Sequence, residues 1–264
     1  MPNLPVRYSQ WFKEFEDIQD AEIRIFRGAT NLDITAACPI AILQGEDDRI
    51  SVEVDADPED ARYFSIRQTG KTVIINQSGD SCGSNIIIDG GSISISMKNN
   101  AHIYINGVEV GRNMRNQFNA KKTPRIIITA PVNSNLEANV NGNALLVSDV
   151  IHNDAYIDLS GQTKVGLAAR NISIDASGQS EVIAYIGGGD LDVDISGQCH
   201  MNIEGIFSKV DADLSGMGSI QTTGTVTGDY KAKASGMGSI THKGRIEGRI
   251  RKYSSGFADI MFYG

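Results

Sequence analysis

Little in this sequence serves the usual ways of building a small scaffold or a catalytic centre. Its 264 residues hold three cysteines, Cys38, Cys82 and Cys199, far apart and without a CxxC pair. That excludes a disulfide framework and a zinc ribbon, and the three are read as ordinary thiols. Proline is scarce and tryptophan occurs once. His102, His152, His200 and His242 are dispersed, with no HxH, HExxH or GxSxG pattern to position a metal or a nucleophile. No window reaches the ~18 apolar residues of a membrane span, so no transmembrane segment is expected. The N-terminus, Met1 to Arg7, lacks the apolar stretch of a secretory signal. The default expectation is a cytoplasmic chain, with surface or virion association left open. Basic residues are also in deficit: a net charge of -8 argues against a nucleic-acid partner, because phosphate binding needs a basic face.

What is present is a folded, all-β composition. Hydrophobic residues make up 41% of the chain and charged ones 21%, which is too apolar for a disordered segment. Glycine is abundant, with many Asn, Asp and Ser beside Ile and Val, a mixture that suits tight turns between short β-branched strands.

An internal repeat organises the second half. Small-Gly pairs recur at Asn141-Gly142, Ser160-Gly161, Ser177-Gly178, Ser196-Gly197, Ser215-Gly216, Ser235-Gly236 and Ser255-Gly256, at intervals of 19, 17, 19, 19, 20 and 20 residues. Aligned on the Ser or Asn, the preceding residue is Val140, Leu159, Ala176, Ile195, Leu214 or Ala234. Three before stand Ala138, Ile157, Ile174, Val193, Ala212 and Ala232, and five before stand Leu136, Ala155, Ile172, Leu191, Val210, Tyr230 and Ile250. Such period-two alternation is a strand with one buried face. Another apolar column, Leu146, Val165, Val182, Met201, Ile220, Ile240 and Ile260, follows five residues after the Ser or Asn and marks a second strand. Gly205, Gly224 and Gly244, with Phe207, Val226 and Ile246 two residues on, imply a second corner and a third strand. Glycine suits each corner because the chain turns sharply there, through positive φ. One such coil cannot bury its inner face alone, but coils stacked at ~4.8 Å close a continuous core.

The expected organisation is therefore an all-β, single-stranded parallel β-helix with about 17–20 residues per coil, in one domain over residues 21–264. Residues 21–123 read as less regular coils with an insertion, including a polar run at 113–122, and residues 124–264 as regular coils. Residues 1–20 are read as an N-terminal amphipathic helix that caps the first coil, because Trp11, Phe15 and Ile18 share one face at helical spacing.

Three passages extend this reading. They are Gly28 to Ile34 followed by Gln44 to Val54, the strand Pro124-Arg125-Ile126-Ile127-Ile128-Thr129-Ala130-Pro131 leading to Leu136 and Asn141-Gly142, and the Ser-Gly array itself. Together they resemble the bacterial β-helix adhesin families, the auto-transporter adhesin head domain called GIN and its relatives of unknown function. The resemblance implies a right-handed solenoid and an adhesin-like role, with a glycan or a protein surface as the partner.

Six carboxylates form the candidate binding face. Asp158, Asp175, Asp194 and Asp213 stand two residues before each Ser, and Asp192 and Asp211 four before, all on the outward side. Stacking turns them into an acidic ladder, whose alternatives are a solvated row that keeps the sheet soluble and a face bridged by Ca²⁺. Gln162, Gln179 and Gln198 form a polar column two residues after the Ser, which continues as Met217, Met237 and Phe257. From Tyr230 to Lys252 the charges reverse: Lys231, Lys233, Lys243, Arg245, Arg249, Arg251 and Lys252 face Glu247 alone. This basic end is suited to an anionic glycan or to the acidic face of another molecule, so a homo-oligomer is among the expectations. With no catalytic pattern, the leading expectation is a non-catalytic adhesin-like binding or structural scaffold without a cofactor. The alternatives are a carbohydrate-active β-helix lyase or hydrolase that uses the Asp columns and a self-assembling solenoid.

Overall fold

The computed structural model describes residues 6–15, 22–78, 86–89, 92–95, 104–105, 108–109 and 123–264. Within them the chain is a β-solenoid of about seven turns. The expected polar loop at 113–122 lies outside the described residues, as do Cys82, His102 and Ile18.

The irregular first part contains β1 (Glu22–Arg27), β2 (Asn31–Ala36), β3 (Ile40–Gln44), β4 (Arg49–Asp55), the one-turn α1 (Pro58–Ala61), β5 (Phe64–Thr69) and β6 (Thr72–Gln77). Two antiparallel pairs follow, β7 (Ile86–Asp89) with β8 (Ser92–Ile95) and β9 (Tyr104–Ile105) with β10 (Val108–Glu109). The regular part begins with β11 (Arg125–Ala130) and β12 (Asn135–Val140). It continues through the long strands β13 (Asn143–Leu159), β14 (Gln162–Ala176), β15 (Gln179–Ile195) and β16 (Gln198–Leu214). It ends with β17 (Ser219–Val226), β18 (Tyr230–Ala234), β19 (Ser239–Lys243), β20 (Ile250–Ser254) and β21 (Asp259–Tyr263).

The aligned apolar columns are the lumen. Leu32, Leu136, Ala155, Ile172, Leu191, Val210 and Tyr230 stand in parallel register across successive strands, and each is buried. Burying an aliphatic side chain of this size contributes about 1.5–3 kcal/mol, and stacking repeats that gain at every coil while the ladders pair the backbone.

The three short strands expected per coil are merged in the middle of the solenoid. β13 to β16 run through the second corner as single strands, with register shifts marking the bend, as between Gly187 and Asp190. The first corners also differ from expectation. Gly142, Gly161, Gly236 and Gly256 have φ of +73°, +94°, +96° and +73°, but Gly178, Gly197 and Gly216 are not in the left-handed region. At those three a Cβ would lie 2.1 Å from a glycine carbonyl oxygen one coil away, so close approach, not torsion, requires glycine.

The N-terminal end departs from a purely parallel stack. β3 lies between β11 and β13, and β2 between β6 and β12, so β4 to β6 fold back over the first coil and the chain continues the stack at β11, beside β3. The outer neighbours at this end are antiparallel: β4 pairs with both β11 and β1, and β5 pairs with β6. Returning strands of this kind pair backbone groups that a bare parallel edge would leave open.

The segment expected as a capping helix is a 3₁₀ helix, Val6–Phe15. It lies on the flank: Trp11 and Phe15 bury against Ala41, Leu145 and Val147, the outward side chains of β3 and β13. Arg125 fixes it by donating to the Glu14 carbonyl at 2.6 Å while pairing with Asp55 at 2.7 Å, and Lys164 stands 5.7 Å from the centre of the Trp11 ring. The apolar stripe of β13, Leu145 and Val147, needs a cover because it points away from the lumen. Trp11 is the sole tryptophan, so blue-shifted fluorescence is expected in the native protein. Phe15→Asp is expected to move it to the red while far-ultraviolet circular dichroism keeps the solenoid signal; an unmoved emission would refute this docking.

Candidate functional site

All six predicted carboxylates project from one flat face, because they alternate with lumen residues along β13 to β16. Asp158, Asp175, Asp194 and Asp213 are in register in a single row, continued by Lys233 and Tyr253. Asp192 and Asp211 are in register in a neighbouring row, continued by Lys231 and Arg251. The lysines end the acidic rows with ion pairs: Lys231 reaches Asp211 at 2.7 Å and Lys233 reaches Asp213 at 3.0 Å. Asp194 stands among the other carboxylates of these rows. Partial burial and the charges of Asp213, Asp175 and Asp192 raise its pKa above the usual carboxylate range.

These rows are linear, so each carboxylate has neighbours only along its row and beside it, whereas Ca²⁺ takes 6–8 oxygen ligands from several directions. Among the described residues no group of three or more His, Cys, Asp or Glu side chains converges as a metal site would require.

A third outward row was not singled out from the sequence, although Asn135, Asp154, Asn171, Asp190, Lys209, Asp229 and Arg249 each stand six before the Ser or Asn. Asn135 donates to Asn31 at 3.1 Å, Asn153 to Asn135 at 3.3 Å and Asn171 to Asp154 at 2.7 Å, and Asn171 accepts the backbone N–H of Asp190 at 2.9 Å. The row continues with Lys209, Asp229 and Arg249, the last two paired at 2.9 Å.

Around the Ser-Gly corner runs a shallow open groove of about 690 Å³. Its floor is backbone and small side chains, such as Ser177-Gly178 and Ser196-Gly197, and its rim carries Gln162, Gln179, Gln198, Met217 and Met237. The glutamines stack as the sequence suggested: Gln162 donates to Gln179 at 3.4 Å and Gln179 to Gln198 at 3.0 Å. The Met217, Met237 and Phe257 continuation is exposed, Phe257 at 86%, so that end of the column is an apolar stripe on the surface.

His152, His242, Cys38 and Cys199 are sealed in the lumen, whereas His200 is exposed on the outer side of β16, in register with Glu181. His152 is wholly buried, with Nδ1 3.1 Å from the Ser134 hydroxyl and Nε2 2.9 Å from that of Ser148. Burial pushes its pKa down to about 4. This Ser-His-Ser set was missed in the sequence because its members come from β13 and the turn before β12 and share no motif. His242 is buried, its Nδ1 2.9 Å from Thr222 Oγ1, which also lies 2.9 Å from the Tyr230 hydroxyl. Cys38 and Cys199 are buried thiols, and burial pushes the Cys199 pKa up to about 12.

The same architecture recurs in solved structures. A protein described as a "putative lipid binding protein" from Parabacteroides distasonis superposes with a TM-score of 0.50 at 14% identity, over 91% of this chain and 96% of that one. A "putative adhesin" from the same species and another from Parabacteroides merdae give TM-scores of 0.41 at 14% and 12% identity, over 92% and 93% of this chain and 97% and 96% of theirs. No curated protein matches the sequence. The family model for "Putative auto-transporter adhesin, head GIN domain" matches residues 32–264. That span runs from β2 through every regular coil to the end of β21, and with it this chain belongs to the auto-transporter adhesin head GIN domain family.

Proposed function

We propose that this protein is a non-catalytic adhesin-like binding scaffold that holds an extended, polyhydroxylated ligand along the Ser-Gly corner. The observation that supports it is the repeating line of polar groups along an open corner. The imidazoles of His152 and His242 and the thiol of Cys199 are closed off in the lumen, His200 is exposed beside Glu181, and the aspartates stand in straight rows on an open face. Acid-base hydrolysis or elimination needs two groups converging on one bond. Recognition of a linear polymer needs only a repeating line of donors and acceptors. The groove offers serine hydroxyls and glutamine amides at the coil spacing, and the carboxylates of Asp158, Asp175, Asp194 and Asp213 stand two residues away on the adjoining face.

A glycan array, read together with a thermal-shift titration, tests this because a ligand that prefers the folded state raises its apparent stability. Expected is binding of a linear glycan with a raised melting temperature, weakened at least about tenfold, or ~1.4 kcal/mol, by Gln179→Ala or by Asp175→Asn with Asp194→Asn. Depolymerisation of a polysaccharide, abolished by one carboxylate substitution, would establish the enzymatic reading in its place.

A further inference from the structure

The acidic and basic ends of the strand face are not arranged at random. Its outward positions on the four coils from β15 to β20 form three rows of four. The first row reads Asp190, Lys209, Asp229, Arg249, the second Asp192, Asp211, Lys231, Arg251, and the third Asp194, Asp213, Lys233, Tyr253. About a line midway between the second and third coils, the first two rows are charge-antisymmetric, and the third is so in its inner pair. Asp190 mirrors Arg249, Lys209 mirrors Asp229, Asp192 mirrors Arg251, Asp211 mirrors Lys231, Asp213 mirrors Lys233, and Asp194 mirrors the hydroxyl of Tyr253.

The inner pairs have an explanation within one molecule, since adjacent coils already join Asp211 to Lys231 and Asp213 to Lys233. The outer pairs do not. Their members are three coils apart, about 14 Å at the ~4.8 Å spacing, beyond the ~8 Å screening length of physiological salt. Within one chain, nothing couples Asp192 to Arg251.

We infer that this face is an isologous dimer interface, taken by a second copy of the chain laid face to face about a twofold axis parallel to the strands. That rotation keeps the position along the strand and reverses the order of coils, so each residue meets its mirror mate. Asp190 and Asp192 of one copy then face Arg249 and Arg251 of the other, and the inner ion pairs close into alternating four-charge networks. Self-complementarity is the defining property of a twofold interface, and the charge pattern sets its register. Tyr253, 59% exposed, brings a donor to Asp194, which has Asp175, Asp192 and Asp213 around it. The patch spans four coils by three rows, roughly 20 Å by 20 Å from strand dimensions, well short of the ~800 Å² per partner of a standard interface. The dimer is therefore weak and strongly salt-dependent.

The test is sedimentation equilibrium of the intact protein at low ionic strength up to about 1 mM, repeated in 0.5 M salt, where screening is nearly complete. The mass is expected to rise toward twice 28.4 kDa and to fall back in salt. Asp192→Arg and Arg251→Asp should each weaken association at least about tenfold, and the two combined should restore it, because every facing pair is again opposite in sign. Both sites are exposed, and each replacement faces an opposite charge on the next coil, Asp211 or Lys231, so the folds are not at risk. A monomer at all concentrations, growth beyond the dimer, a dimer indifferent to the single substitutions, or a double variant no better than the singles would each overturn the interface.

Discussion

Alanine at Gly224 is expected to be the most damaging single-methyl change in the regular coils, lowering stability by more than about 4 kcal/mol. Two independent costs coincide there. The backbone is at φ +136°, a region open essentially to glycine alone. The added Cβ would also lie 1.8 Å from the carbonyl oxygen of Gly205, its partner in the parallel ladder. Gly205 and Gly244 are in the same position on the flanking coils, at φ +139° and +131°, so no neighbour can yield without straining its own corner. At ~2–4 °C per kcal/mol for a chain of this size, the melting temperature should drop by about 10 °C or more. Gly70→Ala is the control. Its φ is +60° and nothing lies within 4 Å of the added methyl, so the cost is the left-handed conformation alone, about 1–2 kcal/mol. Calorimetry of the two variants decides the matter: equal melting temperatures would show that coil-to-coil approach is not what selects glycine here.

Acid is the second strong lever, and its site is His152. In the folded protein burial holds this imidazole neutral down to about 4, against an ordinary value of 6.5. The unfolded chain therefore takes up a proton that the folded chain refuses. Its contribution to stability is complete above pH 6.5, is lost as pH falls from 6.5 to about 4, and changes no further below that. The shift corresponds to about 3 kcal/mol over this window. His242, whose pKa burial also lowers, acts in the same direction. Asp194 opposes them at the acidic end, since a carboxylate with a raised folded pKa favours the fold when protonated. Urea melts between pH 7 and pH 4 should show the loss. His152→Gln should start less stable, because the Ser134 and Ser148 hydroxyls lose an aligned partner, yet its stability should depend less on pH. A variant with the wild-type slope would mean that the proton is taken up elsewhere.

The regular coils were legible in the sequence because a solenoid writes its geometry locally. Period-two alternation separates lumen from surface, and the Ser-Gly interval counts the residues in a turn, so Ile172, Leu191 and Val210 could be stacked by alignment alone. The same arithmetic put the six aspartates on one face. It also placed Lys231 and Arg251 after Asp192 and Asp211, although the mirror relation appears only when whole rows are seen side by side. The candidate site was legible in part: the glutamine column was evident, but the groove beside it is an absence of side chains at stacked glycines, which no single coil displays.

Non-local relations were not legible. β11 carries the strand pattern of Ile126 and Ile128, but pattern says nothing of its insertion between β3 and β4. Likewise, helical spacing revealed that Trp11 and Phe15 share a face without revealing what covers them. The sequence by itself determined the coil, its lumen and the outward placement of the six aspartates, because these depend on neighbours one or two residues away or one repeat away. Only the tertiary structure decided how the first coils close, which flank the N-terminal segment covers and that Ser134, Ser148 and His152 meet. Those outcomes depend on which distant surfaces find complementary partners, and an unpaired edge or an uncovered apolar stripe is compatible with more than one partner until packing selects it.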